Sequence, residues 1–356
     1  MLRSVSATGS PSPVPSSSSP SPARDRLGRP FRDLRVSATD RCNFRCRYCM
    51  PKEVYGAAWR FLPHAEILTY EEIERVARAA VARGASKIRV TGGEPLLRRD
   101  LASLVAGLAA IDGVLDLALT TNGSVLARHA PALAAAGLQR VTVSLDALSE
   151  PVFHAMNDVA FPVVRVLDGI DAAAAAGLAP VKVNAVVKRG FNEDEIVPMV
   201  RHFRERGHVV RFIEYMDVGT TNGWRLDDVV PAAEILARLE RAFHLEPVEP
   251  AYLGEVAHRW RFADEPAGEV GIVTSVTGPF CRGCTRLRLS AEGKLYTCLF
   301  ASNAYDVKAL LRSGASDRAL REMLGSQWAS REDRYSEERA TRTDPGDRVE
   351  MSTIGG

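Results

Sequence analysis

Long apolar segments are missing from the sequence: it has no run of about 18 uncharged apolar residues, so no membrane-spanning helix is predicted. A large excess of either charge is missing too, since the formal net charge is only +2 over 356 residues. A chain so close to neutral is not expected to have nucleic acid or a membrane surface as its main partner. No Walker-type phosphate-binding loop occurs either. The length remains sufficient for about two globular domains, at about 150 residues per domain.

Cysteine is scarce, and its placement is informative. The six cysteines form two triplets, Cys42, Cys46 and Cys49 in one and Cys281, Cys284 and Cys298 in the other. So few cysteines in such tight groups predict metal chemistry in a reducing compartment rather than disulfides. We therefore expect a cytoplasmic protein.

The two ends of the chain lack the periodicity of helices and strands. Residues 1–27 are rich in Ser and Pro, a composition that buries too little apolar surface to fold, so a disordered tail is predicted there. This tail lacks the apolar segment of a secretory signal, whereas a transit peptide stays open, although the prolines oppose an amphipathic helix. Residues 331–356 are charged and predict a mobile C-terminal tail that ends in Gly-Gly.

Between the tails, apolar runs typical of strands alternate with segments of helical periodicity. Strands are predicted at 34–38, 86–91, 115–121, 140–145, 181–187 and 209–215, and helices at 70–83, 100–111, 124–136, 163–176 and 193–206. Six βα units in series predict an α/β fold, an incomplete (βα)6 TIM-type barrel over residues 28–250. Residues 251–330 predict a smaller β-containing extension that closes the barrel, with a hairpin of strands at 258–263 and 270–275.

The first triplet has C-x3-C-x2-C spacing, on a loop that leaves the first predicted strand. Three thiolates suit a 4Fe–4S cluster in which one iron stays open for a small molecule. Zinc would need a fourth ligand, and the nearby candidate, His64, is fifteen residues beyond Cys49.

The second triplet has C-x2-C-x13-C spacing. Taken alone, it is compatible with a zinc site completed by His258 and equally with an iron–sulfur cluster. Beside the first triplet, a second open-sided cluster is favoured.

Polar residues recur where predicted strands end. They include Thr91, Glu94, Thr120, Asn122, Ser144, Asp146, Asn184, Arg211 and Glu214, and they lie close to Gly92, Gly93 and Met216. Because function gathers at the carboxyl ends of strands in such sheets, this recurrence at one rim favours a shared pocket.

These motifs resemble the radical S-adenosylmethionine superfamily, through the C-x3-C-x2-C loop with Tyr48 before its last cysteine and through Gly92-Gly93-Glu94-Pro95. Within it, the chain resembles the GTP 3′,8-cyclase family of molybdenum cofactor biosynthesis over about residues 26–356. That narrower resemblance rests on residues 33–35, 39–46, 89–96 and 280–286 and on the terminal Gly355-Gly356.

The resemblance implies two 4Fe–4S clusters, one on each triplet, and S-adenosylmethionine as cofactor. The residues implied to contact S-adenosylmethionine are Tyr48, Gly93, Ser144 and Met216. Cleavage of that cofactor would yield methionine and a 5′-deoxyadenosyl radical, which would abstract the ribose 3′ hydrogen of GTP before the sugar radical attacks C8.

The resemblance also implies a site for GTP. Its implied residues are Arg35, Arg89, Thr120, Lys182, Arg286, Leu287 and Arg288. Arginine suits this role because its guanidinium makes forked contacts with phosphate. Arg35, Arg286, Arg288, Gly355 and Gly356 are implied to be catalytic.

The implied partners are GTP, a reducing electron donor and a cyclic pyranopterin monophosphate synthase that takes the product, and a homodimer is also considered. One departure is Asn157-Asp158-Val159, where the family tends to have Asn-x-Arg, so no arginine role is assigned to Val159. Two alternatives stay open. A peptide-modifying radical enzyme would typically have more than three cysteines in its C-terminal region, and a zinc-binding interaction module would leave the Gly-Gly-Glu-Pro motif unexplained.

Overall fold

The computed structural model describes residues 22–341 and 348–355. Six parallel strands form the centre of a single sheet, and each is followed by one or two helices. The strands are β1 (Asp33–Ser37), β2 (Lys87–Thr91), β3 (Asp116–Thr121), β4 (Arg140–Ser144), β5 (Lys182–Val187) and β6 (Val209–Glu214). The helices are α1 (Tyr70–Val81), α2 (Leu101–Ala109), α3 (Leu126–Ala135), α4 (Glu150–Asn157), α5 (Val163–Ala175), α6 (Ile196–Arg204) and α7 (Ala232–Glu240).

Local sequence signals explain why these elements begin and end where they do. The Thr69 hydroxyl accepts a hydrogen bond from the Glu72 amide, and the Glu72 carboxylate accepts one from the Thr69 amide, which forms a capping box at the start of α1. Gly84 follows α1 with a φ of +109°, a conformation that a residue with a Cβ rarely adopts. The strands and helices predicted over residues 28–250 are confirmed to within three residues at each end, whereas α4 and α7 were not predicted.

The C-terminal part extends the sheet at both of its edges. Its strands are β7 (Leu245–Val248), β8 (Ala257–Phe262), β9 (Glu265–Val273), β10 (Arg286–Leu289), β11 (Lys294–Tyr296) and β12 (Tyr305–Asp306). The strand order is β12-β11-β10-β1-β2-β3-β4-β5-β6-β9-β8-β7, with β10 parallel to β1 and β9 parallel to β6. The sheet therefore stays unclosed among the described strands, which confirms the partial TIM-type barrel. The extension begins with β7, earlier than the predicted boundary at residue 251.

The structure differs from the predicted N-terminal tail at its inner end. Residues 1–21 lie outside the described residues, but residues 22–27 pack against the rest of the protein. The Asp25 side chain is fully buried in an ion pair with Arg29, 2.5 Å from carboxylate oxygen to Nε. Nearby, the rings of Phe31 and Trp328 stack at 5.0 Å. Because Asp25 is buried, the packed part of the chain begins before residue 27.

The C-terminal segment also differs from the predicted mobile tail. After α8 (Val307–Arg312) and α9 (Asp317–Ala329), it contains α10 (Tyr335–Glu338) and α11 (Met351–Ile354). The Asp217 carboxylate, in the loop after β6, accepts hydrogen bonds from Tyr335, Arg339 and Arg348. Helices α10 and α11 are only four residues long, which is too short to show a helical period in the sequence.

Candidate functional site

One cavity runs through the interior of the partial barrel, and the two cysteine triplets line it from opposite ends. The first triplet follows the carboxyl end of β1. Cys281 and Cys284 precede the amino end of β10, which runs parallel to β1 with Arg286 beside Asp33. Cys298 follows β11, whose antiparallel pairing with β10 returns the chain to that same end. All six thiols are free and face the space between these ends.

The first triplet lies on a loop that is largely withdrawn from water. Burial, then the nearby Glu94 carboxylate, raises the pKa of the Cys42 thiol to about 11. The Phe44 amide points at the Cys42 sulfur at 3.4 Å, and the Asn122 amide group lies 3.8 Å from it. Such donors stabilise a thiolate that binds metal.

Gly92 and Gly93 let the loop after β2 approach the cysteine loop closely. The Gly93 amide donates to the Thr39 carbonyl at 2.8 Å, and the Glu94 amide donates to the Arg41 carbonyl at 2.7 Å. A Cβ on Gly92 would lie 2.5 Å from the Thr39 carbonyl oxygen, and φ there is +146°. These glycines therefore have a structural role in holding the triplet, whatever else they contact.

The buried carboxylates of Glu94 and Asp146 accept hydrogen bonds from residues at or beyond the ends of other strands. Glu94 accepts hydrogen bonds from the backbone amide of Asn122 at 2.6 Å and from the Thr121 hydroxyl at 2.8 Å. Asp146 accepts one from the Tyr48 hydroxyl at 2.9 Å. Burial raises the pKa of each carboxyl to about 7. Tyr48, Gly93, Ser144 and Met216, the residues predicted to contact S-adenosylmethionine, all line the cavity at this end.

The second triplet lies among arginines. Burial alone would raise the pKa of the Cys284 thiol, but the charges of Arg286 and Arg331 outweigh it and lower that pKa to about 6. The Cys298 thiol is dominated by burial, which raises its pKa to about 12, and its sulfur faces the Phe300 amide at 3.5 Å.

Three arginines stand side by side between the triplets. Strand register pairs Arg35 with Arg288 on one side and with Arg89 on the other, and all three line the cavity. Burial, and then the other arginines, lowers the pKa of Arg35 well below its usual value, and burial lowers those of Arg89 and Arg288 to about 10. Shifts of this direction are typical of cations that have too few anions nearby. We name Arg35, Arg89 and Arg288 the arginine row.

The basic residues implied to bind GTP lie deeper in the barrel than the carboxyl ends of the strands. Arg35 and Arg89 are the middle residues of their strands and Lys182 is the first residue of β5, so all three lie below the carboxyl-end rim. Arg89 donates to the Thr120 and Thr142 hydroxyls at 2.9 and 3.1 Å, which connects the row to β3 and β4. The basic groups occupy the barrel interior because inward positions recur at every second residue of a strand.

Two predicted substrate residues do not line the cavity. The Leu287 side chain is fully buried in the apolar core, because it faces the opposite side of β10 from Arg286 and Arg288. Lys182 faces the barrel interior at the amino end of β5, beside Thr142 of the cavity wall, and burial and the charges of Arg211 and Arg140 lower its pKa to about 7.

Several cavity residues were not among the predicted site residues. Arg211 Nε, Asn184 Oδ1 and Ser275 Oγ are buried and have no hydrogen-bond partner within the described parts of the chain. Unpartnered buried polar atoms on a cavity wall fit a site that binds a ligand. Asn184 and Arg211 were among the polar residues noted at the predicted strand ends, but no cofactor or substrate role was assigned to them.

The last described residue comes close to the arginine row. Arg288 donates to the Gly355 carbonyl and lies 3.5 Å from that of Ile354. Gly355 has a φ of +67°, and a Cβ there would overlap the Thr91 side chain on the cavity wall. Gly356, which was predicted to be catalytic, lies outside the described residues.

Comparison with known proteins identifies two families along the chain. Residues 36–203 match the Radical SAM superfamily and residues 208–337 match Molybdenum Cofactor Synthesis C. A GTP 3′,8-cyclase of Acidothermus cellulolyticus is 53% identical over 94% of this chain and 99% of its own length. A GTP 3′,8-cyclase of Staphylococcus aureus is 48% identical over 94% of this chain and 98% of its own length.

Solved structures share the fold at much lower identity. Streptococcus suis SuiB, in a crystal structure bound to S-adenosylmethionine, has a TM-score of 0.58 and 14% identity. That match covers 91% of this chain and 77% of SuiB. At this identity, the likeness shows the fold alone.

The Radical SAM superfamily implies a 4Fe–4S cluster and S-adenosylmethionine, and the residues of the first triplet fit both. Three free thiols face one space, with an amide directed at the Cys42 sulfur, as thiolate ligands of a cluster require. The unpartnered Asn184 Oδ1 supplies a buried acceptor on the same cavity wall.

Substitution of Gly92 tests the structural role of the glycine pair. We expect Gly92→Ala to lose about half of the bound iron, because its Cβ would push the loop after β2 away from residues 39–41. Iron analysis after anaerobic purification measures this. The matched control is Gly314→Ala, which has a φ of +80° and open space around the new methyl, and should keep all of its iron. Full iron content in Gly92→Ala would contradict the role.

Proposed function

Because the chain belongs to the GTP 3′,8-cyclase family of the radical S-adenosylmethionine superfamily, we propose that it converts GTP into (8S)-3′,8-cyclo-7,8-dihydroguanosine 5′-triphosphate. The protein is an enzyme of the lyase class, and its family acts in molybdenum cofactor biosynthesis. The proposed reaction cleaves S-adenosylmethionine to methionine and 5′-deoxyadenosine. This reaction is the proposed first step of molybdenum cofactor biosynthesis.

The observation that carries the proposal is the arginine row between two thiol triplets. The row is a set of cations with few carboxylates nearby, in a cavity that a triplet of thiols lines at each end. GTP brings about four negative charges near neutral pH, and forked contacts with guanidinium groups suit its phosphates. Binding such an anion would offset the burial and the nearby arginine charges that lower the pKa values of the row.

We assign the first triplet to the catalytic cluster. The residues at its end of the cavity, Tyr48, Gly93, Ser144 and Met216, would orient S-adenosylmethionine through backbone, hydroxyl and apolar contacts. When bound, the reduced cluster and S-adenosylmethionine together supply a 5′-deoxyadenosyl radical that removes the hydrogen atom from C3′ of the ribose.

We assign the second triplet to a second 4Fe–4S cluster, whose open iron would face the guanine. The thiols are free and face the cavity, and Cys284 lies next to cations that favour its thiolate form. Arg286 and Arg288 would line the substrate between this cluster and the row. Arg35, Arg89, Thr120 and Lys182 would hold the phosphates.

The proposal includes one partner that supplies electrons and another that consumes the product. A reducing donor must provide the electron for each S-adenosylmethionine that is cleaved. A cyclic pyranopterin monophosphate synthase would take the cyclised nucleotide. A homodimer stays a prediction.

The direct test incubates the reduced, cluster-loaded protein with S-adenosylmethionine and GTP. We expect 5′-deoxyadenosine and a cyclised guanosine nucleotide in equal amounts, measured by chromatography and mass spectrometry. ATP in place of GTP is the control and should give neither product. Deoxyadenosine that forms equally fast without GTP would overturn the substrate assignment.

Lys182 predicts a pH dependence of GTP binding. Its pKa of about 7 in the free protein means that it is charged below pH 7 and neutral above it, and a bound polyanion would raise that pKa. Binding therefore takes up a proton, and we expect the affinity for GTP to fall about fivefold between pH 7 and pH 8. Anaerobic equilibrium dialysis without S-adenosylmethionine measures it.

Two variants isolate the contribution of Lys182 from the titration of GTP itself. Lys182→Arg keeps its charge across this range and should bind tightly with only the pH dependence of the nucleotide. Lys182→Met should bind weakly with the same shallow dependence. A wild-type profile in Lys182→Met would show that Lys182 does not contact the charge of the substrate.

Gly355→Ala tests whether the C-terminal helix serves the reaction. The new methyl would overlap Thr91 and move the Gly355 carbonyl away from Arg288, so we expect turnover to fall about tenfold while iron content stays unchanged. The control is again Gly314→Ala, since φ is positive there too but the methyl would meet no atom. Equal turnover in the two variants would leave Gly355 without a part in catalysis.

A further inference from the structure

A buried cluster of charged side chains packs against the second triplet. Arg29 and Arg331 are 2% and 4% exposed, and Asp25 lies between them. The Asp25 carboxylate pairs with Arg29 at 2.5 Å and lies 3.5 Å from Arg331. The Trp328 ring covers the Arg331 guanidinium at 4.7 Å, so little water reaches this cluster.

The two arginines grip the triplet in different ways. Arg29 donates to the backbone carbonyls of Cys281 at 2.9 Å and Asp333 at 2.8 Å, and it makes no hydrogen bond to a thiol of the triplet among the described residues. Arg331 donates through one nitrogen to the Cys284 carbonyl at 2.8 Å and through another to the Cys284 sulfur at 3.1 Å. The guanidinium of Arg331 therefore binds both polar atoms of one metal-binding residue.

Arg331 has two carboxylate partners, but both lie farther from it than Cys284 does. The Asp25 and Asp333 oxygens are 3.5 and 3.4 Å from the guanidinium, whereas the Cys284 carbonyl and sulfur are 2.8 and 3.1 Å away. The charge of Arg331 therefore acts directly on the Cys284 sulfur. In a buried site, water screens that charge weakly.

A cation that donates a hydrogen bond to a cluster thiolate affects the two oxidation states unequally. The reduced cluster carries one more negative charge, so the hydrogen bond and the charge both stabilise it more than the oxidised cluster. We propose that Arg331 is a positioning residue that raises the reduction potential of the cluster on Cys281, Cys284 and Cys298 through its hydrogen bond to the Cys284 sulfur. The inference rests on the proposed second cluster.

The test is a redox titration of the anaerobically loaded full-length protein, with dithionite as the electron source and electron paramagnetic resonance as the readout. The spectrum of a variant in which Cys42, Cys46 and Cys49 are all changed to Ala identifies the signal of the second cluster. We expect Arg331→Met to lower the reduced-to-oxidised ratio of that signal about tenfold at a fixed potential, which corresponds to about 59 mV for one electron.

Arg282→Met is the matched control. It removes the same charge from the turn between Cys281 and Cys284, but its side chain is 91% exposed, so water screens it. We expect its potential to equal that of the wild type. An unchanged potential in Arg331→Met, or the same shift in both variants, would overturn the proposal.

Arg331→Lys covers the case in which Arg331→Met loses its second cluster. The ammonium keeps the charge but cannot bind the carbonyl and the sulfur together, so we expect a smaller shift in the same direction, about threefold in the ratio. A wild-type potential in Arg331→Lys would then overturn the inference. A wild-type protein with about four irons instead of about eight would overturn the second cluster itself, which separates that failure from a failure of the role of Arg331.

Discussion

The parallel pairing of β10 with β1 is the constraint on which the site depends. It sets Arg288 beside Arg35, and the pairing of β1 with β2 sets Arg89 beside Arg35 in turn. The same pairing brings the second triplet to the amino end of a strand whose neighbour carries the first triplet at its carboxyl end. One register therefore determines both the row of cations and the separation of the two groups of thiols.

This arrangement has an energetic cost in the free protein. Guanidinium groups that share a cavity repel one another, and burial removes part of the water that would screen them. The free energy of folding must therefore come from elsewhere, and the apolar core around the strands is extensive. A polyanionic ligand offsets the repulsion, so the same feature that costs stability selects for a substrate with several negative charges.

Local patterns in the sequence predicted the elements and the thiols, and distant pairings account for what was missed. The capping box at Thr69 and the alternation in β5 involve neighbours in the chain, so they are visible without a structure. Alternation in residues 286–289 separates Leu287 from Arg286 and Arg288 within the strand, but which side of β10 faces the cavity follows from its pairing with β1, about 250 residues away in the sequence. The packing of Asp25 depends on Arg331 in the same way, since no local pattern connects them.

The two triplets have the same number of thiols but opposite electrostatic surroundings. Carboxyl groups, Glu94 and Asp146, stand near the first, whereas Arg286 and Arg331 stand near the second. Negative surroundings disfavour the addition of an electron to a cluster and make the reduced form a stronger reductant. Positive surroundings favour contact with an anionic ligand instead. The charges around the two triplets therefore support the proposed division of roles, which the number of thiols alone would not distinguish.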